Sequence, residues 1–284
     1  MADVTSTVFW VNGALVPEAE ATTSARDHGF VVGDGVFEAV KIDRGRIFAL
    51  SRHLARMARS AAGIGLPGFD VETVRRAAHE VVEANADVLG SAYDLLRITF
   101  TGGPGLLGSG RVDGPPTLVL GVTPGHDPAP ETAVVTVPYR RNELGALTGL
   151  KTTSYGENVV ALARAHAAGA TEAVFANTRG QLCEGTGTNV FVVRDGELLT
   201  PPLDSGCLAG VTRALVLEWS GGREVELPYD ALTDSDEVFL TSTARDVQAV
   251  VAVDGRPVGG GTAGPVTREV ARVFADRQRE RLDP

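Results

Sequence analysis

The stretch from Gln181 to Arg213 constrains this chain most. Gln181-Leu182-Cys183-Glu184 runs into a turn of small residues, Gly185-Thr186-Gly187-Thr188, and continues as Asn189-Val190-Phe191-Val192-Val193. Asp195-Gly196 is the two-residue signature of a hairpin. Gly210-Val211-Thr212-Arg213 then opens an apolar helical run through Ala214, Leu215, Val216, Leu217 and Trp219. Two features invite chemistry. Glu184 is a carboxylate set among glycines that let backbone approach a ligand closely. Val211 and Thr212 head a helix, where backbone N–H groups and a hydroxyl suit a phosphate. The same residues also read as ordinary turn chemistry with an N-capping threonine, and this stretch alone leaves both readings open.

Upstream stands Lys151, which with Lys41 makes up all the lysine in the chain; arginine supplies the other basic side chains. An amine can lose its proton when desolvated and a guanidinium cannot, so Schiff-base chemistry requires the former. At 284 residues the chain is long enough for two domains with real cores. Its net charge of −10 argues against nucleic acid or an anionic membrane as partner. Cys183 and Cys207 are too few for a disulfide framework or a metal-ligand cluster, so no metal is expected. The opening residues, Met1 to Thr7, lack a basic region followed by an apolar core, and no apolar run reaches membrane length. The expected location is the cytoplasm.

Hairpin signals fall at Asn12-Gly13, Arg44-Gly45 and Asp254-Gly255. Helices are expected at 50–63, where Leu54, Met57, Ala58 and Ala61 form a stripe, and at 72–85, 158–168, 212–219 and 265–279. Strands are expected at 94–101, 117–122, 132–138, 172–177, 237–243 and 248–253. His28, near a turn, reads as structural. Gly103-Pro104-Gly105-Leu106-Leu107-Gly108 matches a dinucleotide fingerprint by letter only, since Gly, Ser and Pro follow where a helix should open. It reads instead as a mobile loop over 102–111. The Pro- and Gly-rich segment 123–131 is the expected linker between a smaller domain, 1–122, and a larger one, 132–284. The fold class is therefore mixed α and β (α+β) with two domains.

Leu150-Lys151-Thr152-Thr153-Ser154-Tyr155, Leu182-Cys183-Glu184-Gly185-Thr186-Gly187-Thr188-Asn189-Val190-Phe191 and Gly210-Val211-Thr212-Arg213, in that order and spacing, resemble the class IV pyridoxal-phosphate aminotransferases. That family holds branched-chain and D-amino-acid aminotransferases and 4-amino-4-deoxychorismate lyase, and the resemblance runs from Trp10 to the final helix. It implies fold type IV, a larger domain that binds pyridoxal 5'-phosphate, and a homodimer in which loop 102–111 lies over the partner's active site. It implies that Lys151 carries the cofactor and shuttles a proton, and that Glu184 holds the pyridine nitrogen. Tyr155 would bond the ring's phenolic oxygen. Arg56 (in His53-Leu54-Ala55-Arg56-Met57), Val211, Thr212 and Thr243 would hold the phosphate.

Phe30, Glu38 and Arg97 are the expected substrate residues by the same resemblance. Arg97 sits where branched-chain enzymes carry an arginine. Phe100-Thr101-Gly102 replaces the Thr-Arg-Gly of D-amino-acid enzymes, and Glu38 replaces the threonine of the enterobacterial-type lyase. The expected reaction moves an amino group from a small or branched amino acid to a 2-oxo acid. Its alternatives are cleavage of aminodeoxychorismate to 4-aminobenzoate and pyruvate, or a catalytically silent binding relative.

Overall fold

The structure, a computed structural model, describes residues 7–284. The first six residues, part of the segment read above for an export signal, lie outside the described residues. The chain forms two compact units, one holding residues up to Asp127 with Leu150–Tyr155 and Leu282–Pro284, the other Pro128–Gly149 with Gly156–Arg281. Lys151 and Tyr155, which follow the linker in sequence, thus belong to the first unit.

In the first unit β1 (Val8–Val11) and β2 (Ala14–Pro17) make a hairpin, α1 (His28–Val31) is one short turn, and β3 (Gly35–Asp43) pairs with β4 (Arg46–Ile47). Helices α2 (Leu50–Gly63) and α3 (Val71–Ala84) precede β5 (Asp94–Thr101) and β6 (Thr117–Thr123). The sheet is antiparallel in the order β2-β1-β6-β5-β3-β4. Leu50, Leu54, Met57 and Ala61 of α2 recur at helical spacing and are buried with Val36, Val40 and Ile42 of β3 in one core. Asp70 caps α3 by accepting from the N–H groups of Glu72 and Thr73. The first turn of α2 has no side-chain cap of its own; the C-terminal tail serves it, with Asp283 accepting from Ser51 N–H at 2.9 Å.

Segment 150–155 lies along the start of β3. Phe37 N–H donates to Lys151 O at 3.0 Å, Thr153 N–H donates to Gly35 O at 2.8 Å, and Lys151 N–H donates to Ser60 Oγ on α2. The lysine backbone is thus pinned from both sides.

The second unit contains β7 (Glu131–Arg141), α4 (Gly156–Ala167), β8 (Glu172–Asn177), β9 (Leu182–Gly185), β10 (Asn189–Arg194) and β11 (Glu197–Thr200). It continues with α5 (Val211–Ser220), β12 (Arg223–Glu224), α6 (Ala231–Asp234), β13 (Glu237–Ser242), β14 (Asp246–Val253), β15 (Arg256–Pro257) and α7 (Pro265–Glu280). Strands β10, β13, β14, β7, β8 and β9 pair in sequence, and β9 pairs back onto β10 at Glu184 and Asn189. The ring closes there, which removes two open edges. Val134, Val174, Val190, Val192, Val238, Leu240 and Val250 share one core of this unit. Phe175 belongs to a second core, with Ala161 and Ala165 of α4. Among the described residues no helix is long and apolar enough to cross a membrane, and no group of side chains is suited to hold a metal.

Candidate active site

The first unit gathers three of the expected groups, Arg97, Lys151 and Tyr155, around one ring. Phe37 and Arg97 are diagonal neighbours on one face of the β3–β5 ladder, since Phe37 pairs with Thr99 and Ala39 with Arg97. Ala39 offers only a methyl opposite Arg97, which leaves the guanidinium room to lie over Phe37, 3.5 Å from the ring centroid. Lys151 Nζ stands 4.4 Å from the same centroid, and Tyr155 packs edge-on against Phe37 at 5.2 Å. Lys151 Nζ is also 5.7 Å from the Tyr155 ring centroid. Phe37, absent from the sequence-level expectations, is the hub of this cluster. Its signal was its position two residues past Gly35 on a strand.

Glu38 faces the other way. Strand period puts it under α2, where it has no exposed surface. Arg56 donates to it through two parallel bonds, Nε to Oε1 at 2.8 Å and Nη2 to Oε2 at 2.6 Å, and His53 Nδ1 lies 2.7 Å from Oε2. Glu38, expected at the substrate, is placed by the structure beneath α2, where both its oxygens are engaged and it braces Arg56. Burial would push the Glu38 carboxyl up, but the Arg56 charge and the bonds from Arg56 and His53 outweigh it and hold it at about 2. Burial pushes His53 below its ordinary range; Glu38 pulls it up, and Arg56 and Lys151 push it further down. His53 is thus neutral near pH 7 and donates through Nδ1.

The signs of these shifts make a prediction. Both groups take up protons more readily unfolded, so stability is lost as pH falls, first below about 6.5 through His53. Glu38 adds its loss from 4.5 down towards 2. Glu38→Gln is expected to cost about 3–5 kcal/mol in denaturant melts near neutral pH, the usual result of breaking a buried ion pair. It should also flatten the acid limb. A loss below about 1 kcal/mol would mean that the pair bears little of the fold.

Phe30, expected to line a pocket, is 77% exposed on α1, with buried His28 two residues earlier on the opposite side. Loop 102–111 opens no helix and is tied down at several points. Arg26 donates to Gly105 O at 2.9 Å, His28 Nε2 meets Leu106 O at 3.1 Å, and Arg111 holds Asp34 through two bonds. Leu106 and Leu107 remain exposed at its tip.

In the second unit the buried carboxylate of Glu184 accepts from Leu208 N–H at 2.8 Å and lies 3.2 Å from Arg141 Nε. Neither partner, the ion-paired Arg141 nor the Leu208 N–H, was legible in the motif, because both are distant in the chain. Val211 and Thr212 form the first turn of α5, which has no side-chain cap. Glycine at the N-cap makes room for Asn189: a Cβ on Gly210 would lie 2.0 Å from Asn189 Oδ1 and displace that side chain. Thr243 follows directly on β13, partly exposed.

These features fit pyridoxal phosphate. In the first unit a lysine amine stands against aromatic rings, as capture of an aldehyde needs; in the second a carboxylate held by a backbone N–H beside an arginine suits a ring nitrogen, and an uncapped helix start with a threonine suits a phosphate.

Comparison with known proteins agrees. Residues 35–253 match the family described as amino-transferase class IV. A putative branched-chain-amino-acid aminotransferase of Methanocaldococcus jannaschii is 32% identical, over 94% of this chain and 95% of that protein. D-alanine aminotransferase of Bacillus licheniformis is 30% identical, over 91% and 93%. The crystal structure of the branched-chain aminotransferase of the thermophilic archaeon Thermoproteus uzoniensis with norvaline superposes with a TM-score of 0.88 at 28% identity, covering 96% of this chain and 94% of that one. Another branched-chain amino acid aminotransferase, solved in complex with N-(5'-phosphopyridoxyl)-L-glutamate, superposes with a TM-score of 0.86 at 30% identity over the same shares.

Proposed function

This chain belongs to the class IV aminotransferases, enzymes that use pyridoxal phosphate, and from that premise we propose that it transfers the amino group of a small or branched L-amino acid to a 2-oxo acid. When bound, the cofactor supplies an aldehyde that captures amines and a ring that accepts the electrons left by a departing α-proton. Lys151 Nζ would hold the cofactor and, when free, would take the proton from the substrate α-carbon and return it. Glu184, with Arg141 and Leu208 N–H fixing its carboxylate, would keep a proton on the ring nitrogen. Tyr155 would donate to the phenolic oxygen. Arg56, Val211, Thr212 and Thr243 are assigned to the phosphate. Arg56 is oriented for this by Glu38.

One observation carries the choice of substrate. Phe37 has the Lys151 amine against its ring and the Arg97 guanidinium 3.5 Å from its centroid. An apolar ring with a cation over its face suits both an aliphatic side chain and the second carboxylate of glutamate. We assign the enzyme to the cytoplasm and to a homodimer, in which exposed Phe30 (77%), Leu106 (55%) and Leu107 (72%) would be covered.

In single-turnover absorbance measurements, L-leucine or L-glutamate is expected to convert the bound cofactor to its amine form, and a 2-oxo acid to restore it. Conversion by D-alanine alone would overturn the stereochemistry. Release of 4-aminobenzoate and pyruvate from aminodeoxychorismate, with no amine form from any amino acid, would make the enzyme a lyase.

A further inference from the structure

Glu172, the first residue of β8, is 2% exposed, and among the described residues no cation pairs with it. Five hydrogen-bond donors converge on its carboxylate instead. Oε1 accepts from Ala173 N–H at 3.0 Å, from Thr186 N–H at 2.9 Å and from the Thr186 hydroxyl. Oε2 accepts from Gly187 N–H at 3.3 Å and from the Thr188 hydroxyl at 3.2 Å. An ionised carboxylate is acceptor-only and suits such a set, and burying it is tolerable only because the set is complete. Four of the five donors belong to Thr186, Gly187 and Thr188, the turn that directly follows Glu184.

The turn has little freedom left. Gly185 N–H donates to Thr188 O at 2.8 Å, and a Cβ on Gly185 would lie 3.1 Å from the Glu172 carboxyl carbon. The network also reaches Glu184 by a second route. Asn158 Nδ2 donates to the carbonyl of Thr186, Asn158 Oδ1 accepts from Arg141 Nη1 at 3.3 Å, and Arg141 Nε stands 3.2 Å from Glu184.

We propose that Glu172 is a positioning residue, which sets the Glu184 carboxylate by clamping the turn behind it and by holding, through Asn158, the arginine in front of it. The inference rests on the assignment of Glu184 to the cofactor ring nitrogen. Such supporting groups commonly change ligand affinity or activity about tenfold to a hundredfold when removed.

The test is the pH titration of the visible band of the bound cofactor, with cofactor retention on dilution as a second readout. Glu172→Gln is expected to shift the titration by about one pH unit and weaken retention about tenfold. Val192→Ala, a core change at a side chain that makes none of these bonds, gives the effect of destabilisation alone and should leave the band in place. If Glu172→Gln titrates and retains cofactor like Val192→Ala while Glu184→Gln shifts the band, the positioning role is wrong and the assignment of Glu184 stands. If Glu184→Gln leaves the band unmoved, the assignment falls and the inference with it. Should Glu172→Gln fail to fold, Asn158→Ala breaks the second route alone and must shift the same band; an unshifted band overturns the proposal.

Discussion

Alanine in place of Lys151 is expected to abolish turnover, with a loss on the order of 10⁴-fold or more, because proton transfer by a positioned base is by itself worth up to that much. The covalent link to the cofactor goes as well. Its backbone is held by Phe37 N–H and by Ser60 Oγ, so the side chain is removed from a position that does not otherwise move. Borohydride reduction of the wild-type protein should leave the cofactor on the peptide that contains Lys151, and on no peptide in the alanine variant. Lys41 is the sharp control. It is buried, with its ammonium 3.9 Å from the Tyr93 ring centroid, and is the only other lysine. An adduct mapped to Lys41 would overturn the assignment.

Glutamine in place of Glu184 should leave the cofactor bound and slow proton abstraction on the order of 10²-fold, the scale of losing one preorganised electrostatic contact. An amide oxygen can still accept from Leu208 N–H, so the local structure has little reason to change. What is lost is the negative charge that holds a proton on the ring nitrogen. The decisive measurement is the rate of cofactor conversion in a single turnover, taken with cofactor occupancy. Rates within twofold of wild type would reduce Glu184 to a turn residue paired with Arg141.

Much of this protein was determined by local patterns. The α2 stripe of Leu50, Leu54, Met57 and Ala61, and the turns at Asn12-Gly13, Asp195-Gly196 and Asp254-Gly255, depend only on periods and on φ > 0 at the turn residues, which short windows carry. The rarity of lysine and the Glu184 and Thr212 motifs likewise pointed to the chemistry without coordinates. Tertiary structure decided what those windows cannot hold. Strand period says that Phe37 and Glu38 face opposite sides, yet only the placement of α2 and of segment 150–155 made Phe37 the neighbour of Lys151 and Glu38 the brace of Arg56. The partners of Glu184 come from Arg141 on β7 and from Leu208 in the loop before α5, and the bonds to its turn from Glu172 on β8, all distant in the chain. Hydrogen-bond partners distant in the chain leave no period in the sequence, because what selects them is the geometry of the folded sheet.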